Sequence, residues 1–145
     1  MTNLTIVIPA KNESESLPTV LDYFSNKNYK VCVVLEKSDI KTIESIKNKK
    51  CKIVYQTKKG FGNALSEGIN QSDTKYFCIF NADGSMRIEE IDLMLDKISK
   101  SNDDIIFASR YEKDGKSDDD TFVTFMGNKI FTLIGKIFFS LTISD

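Results

Sequence analysis

Short apolar runs alternate with helical spacings along most of the chain. Leu4 to Ile8 (LTIVI) is nearly continuous in apolar character and closes at Pro9, the pattern of a strand covered on both faces. Leu17, Val20, Leu21 and Phe24 then recur at i, i+3, i+4 and i+7, which is one face of a helix. Val31 to Leu35 (VCVVL) predicts a second strand, and Ile40, Ile43 and Ile46 a short second helix. Cys51 to Tyr55 predicts a third strand, followed by a helix marked by Ala64, Leu65, Gly68 and Ile69. Tyr76 to Phe80 (YFCIF) predicts a fourth strand. Ile88, Ile91, Met94, Leu95 and Ile98 predict a fourth helix, and Ile105 to Ala108 a fifth strand. Repeats of this kind predict an α/β fold, a mainly parallel sheet flanked by helices.

Beyond this pattern the composition changes twice. Glu112 to Asp120 (EKDGKSDDD) is polar and acidic and reads as a flexible loop. From Phe122 to Ile143 the only charged residues are Lys129 and Lys136, which predicts a C-terminal apolar helix. Asn128, Thr132, Lys136 and Ser140 recur every fourth residue and draw a narrow polar stripe along it. That stretch is open to three readings: a membrane-surface helix or hairpin, a helix packed into a core, or a transmembrane segment of about 33 Å. The chain therefore divides into a core at 1–111, an acidic loop at 112–120 and an apolar helical segment at 121–145.

In a parallel sheet ligands bind outside the carboxyl ends of the strands, and polar clusters follow each predicted strand. The most informative is Asn81-Ala82-Asp83-Gly84-Ser85. Asp83, with the side-chain oxygens of Asn81 and Ser85, suits a hard divalent cation whose shell is completed by water or phosphate. The same residues also suit a turn or a helix N-cap. Lys59-Gly60-Phe61-Gly62-Asn63 opens the third helix, where two glycines let backbone N–H groups approach an anion, or simply make a tight turn. Arg110, in Ser109-Arg110-Tyr111, can fork onto a phosphate or pair with the acidic loop.

Composition narrows the chemistry. There is no histidine, which removes the commonest general base and zinc ligand. The formal net charge is −1 and the lysines are dispersed, so nothing points to nucleic acid. Lys47, Lys49, Lys50 and Lys52 cluster, in the manner of a solvated helix end. Cys32, Cys51 and Cys78 lie in or beside apolar runs and read as buried, reduced thiols. With no basic, signal-like N-terminus, these point to the cytoplasm, peripheral to the inner face of a membrane if the apolar segment meets one.

Taken together, the clusters resemble glycosyltransferase family 2. Ile6 to Glu13 (IVIPAKNE) is similar to the family's opening V-I-P-x-x-N-E. Lys59, Gly60, Gly62, Ala64 and Gly68 follow its K-G-x-G-x-A-x-x-x-G, Asn81-Ala82-Asp83 its D-A-D, and Ser109, Arg110 and Tyr111 its S-R-Y. The nearest branch is that of the polyprenyl- or dolichyl-phosphate mannosyl- and glucosyltransferases. The resemblance implies a GT-A, Rossmann-like fold binding a nucleoside-diphosphate sugar, with Pro9, Ala10 and Glu13 lining the nucleotide pocket. It further implies that Glu36, Lys59, Gly60, Gly62, Asn81 and Ala82 belong to the nucleotide-sugar site, that Asp83 binds Mg²⁺ or Mn²⁺ on the diphosphate, and that Arg110 contacts phosphate or acceptor. Asp83 and Arg110 are then the expected catalytic residues, and the acceptor is a lipid phosphate at a membrane surface, already ionised without a strong base.

Two segments depart from the family pattern. Leu35-Glu36 stands where the second-strand motif has two aspartates, and Asn81 replaces the first aspartate of D-A-D. The family's catalytic domain also continues past this length, so a C-terminally truncated chain is expected. Two functions follow: a metal-dependent glycosyltransferase, or a catalytically impaired nucleotide-sugar-binding or regulatory module of the same fold. A sugar nucleotidyltransferase fits less well, because Pro9-Ala10-Lys11-Asn12 is not a glycine-rich loop.

Overall fold

The LTIVI run becomes the central strand of the sheet. A computed structural model, which describes residues 3–109 and 122–141, places β1 (Leu4–Pro9) between β2 (Lys30–Leu35) and β4 (Tyr76–Ile79). With β3 (Lys52–Tyr55) the strand order is β3-β2-β1-β4. All pairings are parallel: Val7 faces Cys32 on one side and Ile79 on the other, and Val33 faces Ile53. Leu4 to Ile8 are all buried, as a strand covered on both faces requires.

The order of strands decides where the helices go. From β1 to β3 the chain steps one way across the sheet, and from β3 to β4 it steps back past β1. Right-handed crossovers therefore send α1 (Leu17–Phe24) and α2 (Ile40–Ser45) to one face and α3 (Phe61–Asn70) to the other. The core divides accordingly. Leu17, Val20, Leu21, Phe24 and Ile46 pack with Ile6, Ile8, Val33 and Leu35, whereas Ala64 packs with Val7, Cys32 and Val34. α3 comes close to the sheet because position 68 is glycine. Ile91 of α4 (Glu89–Lys100) joins the α1 face, where Asp92 accepts hydrogen bonds from Lys27 and Tyr29.

One expected strand does not form. Residues 105–108 have no regular structure, and Ile105 and Phe107 are exposed. An apolar run becomes a strand only where a neighbouring strand accepts and donates its backbone hydrogen bonds, and among the described residues none does so here. Lys52 of the lysine cluster lies in β3 rather than at a helix end, and Lys49 pairs with Asp22 at 2.7 Å. Cys32 is buried and Cys51 and Cys78 are half-buried, all free, and burial pushes each thiol's pKa up.

The chain divides into two compact units, Met1–Asp96 and Lys97–Asp145. The first holds the sheet. The second contains α5 (Phe122–Phe139), the expected C-terminal apolar helix, which ends where Ser140 turns to φ 53° and the Leu141 N–H donates to the Gly135 carbonyl at 3.2 Å. Phe131, Phe138 and Phe139 of α5 are exposed. Among the described residues no helix is long and apolar enough to cross a membrane. Arg110, Tyr111 and the acidic stretch 112–120 lie outside the described residues.

Candidate functional site

The segment leaving β1 is held by α2. Its ladder continues one residue beyond the strand, with the Ala10 N–H donating to the Val34 carbonyl at 2.9 Å. Asn12 then adopts φ 61°, a left-handed turn that asparagine tolerates. The Asn12 N–H donates to Asp39 Oδ2 at 2.7 Å and the Glu13 N–H to Thr42 Oγ1 at 3.1 Å. Asp39 also caps α2 by accepting from the Thr42 N–H. Burial alone would raise the Asp39 pKa, but the hydrogen bonds from Asn12 and Thr42 outweigh it and hold the carboxyl below its ordinary value. Glu13 is thereby set at the sheet edge, where its Oε2 accepts from the Ser16 hydroxyl at 2.6 Å.

The ends of β2 and β3 supply the next groups. Glu36 follows β2 and pairs with Lys11 at 3.3 Å. Gln56 follows β3, and its Nε2 donates to the carbonyls of Lys58 and Gly60, both at 3.1 Å. Gly60 sits at φ 108°, a conformation open to glycine, and immediately precedes α3. No side chain caps the first turn of α3. The Asn63 amide instead donates to the Lys59 carbonyl at 2.8 Å.

After β4 the buried Phe80 packs edge-on against Phe24, with ring centroids 5.2 Å apart, and anchors the turn that follows. In that turn Asp83 Oδ1 accepts from the Ser85 N–H at 2.9 Å, and the Asn81 amide donates to Ser85 Oγ at 3.3 Å. The backbone and side-chain hydrogen bonds from Ser85 hold the Asp83 carboxyl below its ordinary pKa, so it is ionised at neutral pH. The turn reading of this segment is right and the helix-cap reading is not, since α4 starts only at Glu89.

These strand ends surround one open cleft of about 480 Å³. Of the residues singled out in the sequence, Pro9, Ala10, Glu13, Glu36, Gly60, Asn81, Ala82 and Asp83 line it. Lys59, Gly62 and Ser85 do not: Gly62 faces open space, and Ser85 is engaged within its own turn. Lys11, Gln56, Phe61 and Ala64 also line the cleft. Gln56 could have been found as the first polar residue after the CKIVY run. Phe61 gave no signal beyond its place between two glycines.

The charged lining consists of three carboxylates, Glu13, Glu36 and Asp83, and one ammonium, Lys11, already paired with Glu36. Such a wall repels a polyanion unless a cation stands between them. Among the described residues no three Asp, Glu, Cys or His side chains gather tightly enough to hold a metal ion. The donor set of ionised Asp83 and the Asn81 amide oxygen suits a hard cation that keeps several waters and binds substrate phosphates as well.

Comparison with known proteins adds the decisive observation. The model of the family described as glycosyl transferase family 2 matches residues 5–143. The chain belongs to glycosyltransferase family 2. Within the family it is 28% identical to a dolichol-phosphate mannosyltransferase of Pyrococcus furiosus, over 92% of this chain and 40% of that protein. It is 29% identical to uncharacterized glycosyltransferases of Mycobacterium bovis and Mycobacterium tuberculosis, over 69% of this chain and 45% of each. The chain thus spans less than half the length of the curated relatives it matches. No solved structure matches it. For a family 2 member the cleft lies where an α/β sheet receives ligands, at the crevice between β1 and β4 where the strand order reverses.

Proposed function

We propose that the cleft binds the nucleoside-diphosphate part of a sugar donor and that the chain is the donor-binding portion of a glycosyltransferase. The observation that carries this reading is the meeting of Glu13, Glu36 and Asp83, from three different strand ends, around one cavity. Glu13 and Glu36 accept hydrogen bonds from the nucleoside. Asp83 and the Asn81 amide oxygen would hold Mg²⁺ or Mn²⁺, which when bound would supply positive charge to offset the charge growing on the departing diphosphate. The acceptor oxygen bonds to the anomeric carbon as the bond to the diphosphate oxygen breaks, with inversion. The named Pyrococcus relative supports a polyprenyl phosphate or another membrane-associated acceptor. Such a phosphate attacks without a strong base, which agrees with a chain that has no histidine.

The test is thermal unfolding with UDP or GDP, each with and without Mn²⁺. A rise in Tm that needs both nucleotide and metal is expected, and no rise with any combination would overturn the reading. A second reading rests on two positions. Leu35 is wholly buried in the core, and position 81 carries an amide, whose nitrogen donates to Ser85, so the chain offers fewer carboxylates than the family pattern. These favour a module that binds the nucleotide without turnover. Nucleotide binding without hydrolysis or transfer of the sugar would select it.

A further inference from the structure

The loop between β3 and α3 is clasped from both ends. Three donors converge on the Glu67 carboxylate in the second turn of α3: the Thr57 N–H at 3.0 Å, the Thr57 hydroxyl at 2.9 Å and the Lys58 N–H at 3.3 Å. From the β3 side, Gln56 Nε2 holds the carbonyls of Lys58 and Gly60. The Thr57 and Lys58 N–H groups and the Lys58 and Gly60 carbonyls are thus taken up by side chains of Gln56 and α3, although the loop itself is exposed.

We infer that Glu67 is a positioning residue: it holds the Thr57–Gly60 loop in one conformation, so that Gly60 and Phe61 form their wall of the cleft before a ligand arrives. Glu67 does not line the cleft, and its effect passes through the loop. A loop already ordered loses less conformational entropy on binding, and a displacement of about 1 Å in a positioning group can cost up to about a hundredfold. The hydrogen bonds from Thr57 and Lys58 hold the Glu67 carboxyl below its ordinary pKa, which keeps it an acceptor at neutral pH. Alanine at this position would remove the acceptor altogether, whereas glutamine would keep one oxygen at the Oε1 position, which all three donors reach, and lose only the charge and the second acceptor.

The inference rests on the cleft being the nucleotide site, and the experiment separates the two. Glu67→Gln and Glu67→Ala are compared with wild type and with Ser66→Ala, an exposed neighbour on the same helix. Three quantities are measured: affinity for UDP and GDP with Mn²⁺, Tm without ligand, and hydrogen exchange of the Thr57 and Lys58 amides without ligand. Glu67→Ala is expected to bind about two- to tenfold more weakly, with the two amides exchanging faster and Tm nearly unchanged, while Glu67→Gln stays closer to wild type and Ser66→Ala matches it. Wild-type affinity in Glu67→Ala overturns this inference alone, as does weakened binding with the two amides still protected. A Tm loss matching that of a core substitution also overturns it, since the role would then be structural. Absence of binding by wild type overturns the reading of the cleft, and this inference with it.

Discussion

A Cβ built on Gly68 would lie 2.5 Å from Val7 Cγ1 and 2.8 Å from Val34 Cγ2, so α3 rests its backbone directly on the sheet. Both valines are fully buried in stiff, β-branched positions and have little room to move. Gly68→Ala gains about 0.8–1 kcal/mol in helix propensity but overpacks at a cost of about 1–3 kcal/mol. The overpacking is expected to prevail, because two contacts fall below 3.0 Å. A net loss of up to about 2 kcal/mol would lower Tm by up to roughly 7 °C. An unchanged or raised Tm would mean that the helix stands further from the sheet than described.

Asp83 is the carboxylate on which the cation site depends. Asp83→Ala is expected to abolish the nucleotide- and Mn²⁺-dependent rise in Tm while leaving ligand-free Tm within a few degrees, since the side chain is exposed. At a ligand concentration a hundred times Kd, the lost stabilisation is about 2.7 kcal/mol. Calorimetric titration of the variant with Mn²⁺ and nucleotide checks it, and retained metal-dependent binding counts against the role.

Phe80 joins the sheet to the Asn81–Asp83 turn and is 2% exposed. Phe80→Ala removes its packing on Phe24 and is expected to cost about 3–5 kcal/mol, seen as a lower urea midpoint with a similar slope. Phe80→Leu, which keeps most of the volume, should cost clearly less. Equal losses in the two variants would show that the cavity is not the cause.

The pH dependence of stability follows from carboxylates alone. Asp39, Asp83 and Asp92 all have depressed pKa values in the fold, and no histidine is present to titrate near neutrality. A depressed folded-state pKa contributes stability that is complete above the unfolded value, about 3.9 for aspartate. It disappears as pH falls through the folded value. Tm is therefore expected to be flat from pH 7 to 5 and to drop below about pH 4. Asp39→Asn should flatten that drop; a midpoint between pH 5 and 7 would contradict this account.

Much of this fold is legible in the sequence because buried parallel strands need unbroken apolar runs, and LTIVI, VCVVL and YFCIF are such runs. Reading the residues just after each run finds Glu13, Glu36 and Asp83, because a parallel sheet presents all its strand ends along one edge. The 105–108 run shows the limit of that method: apolar character marks what can be buried, whereas a strand also needs a neighbour's backbone. Glu67 and Asp39 escaped for another reason. Their work is to hold loops distant in sequence or on another element, and a single acidic residue on a helix carries no mark of its partner. Lys59 and Gly62 were chosen with Gly60 as one motif, but the tight entry into α3 leaves only Gly60 and Phe61 of that stretch on the cleft.

The position of β1 between β2 and β4 has a consequence for how the chain is made. During synthesis β1 is covered on one edge by Lys30–Leu35 but waits on the other for Tyr76–Ile79. At about 5–20 residues per second, that wait is on the order of 4–14 s. During it a newly made, strongly apolar strand presents a free hydrogen-bonding edge, so nascent chains are most vulnerable to pairing with one another before residue 79 emerges.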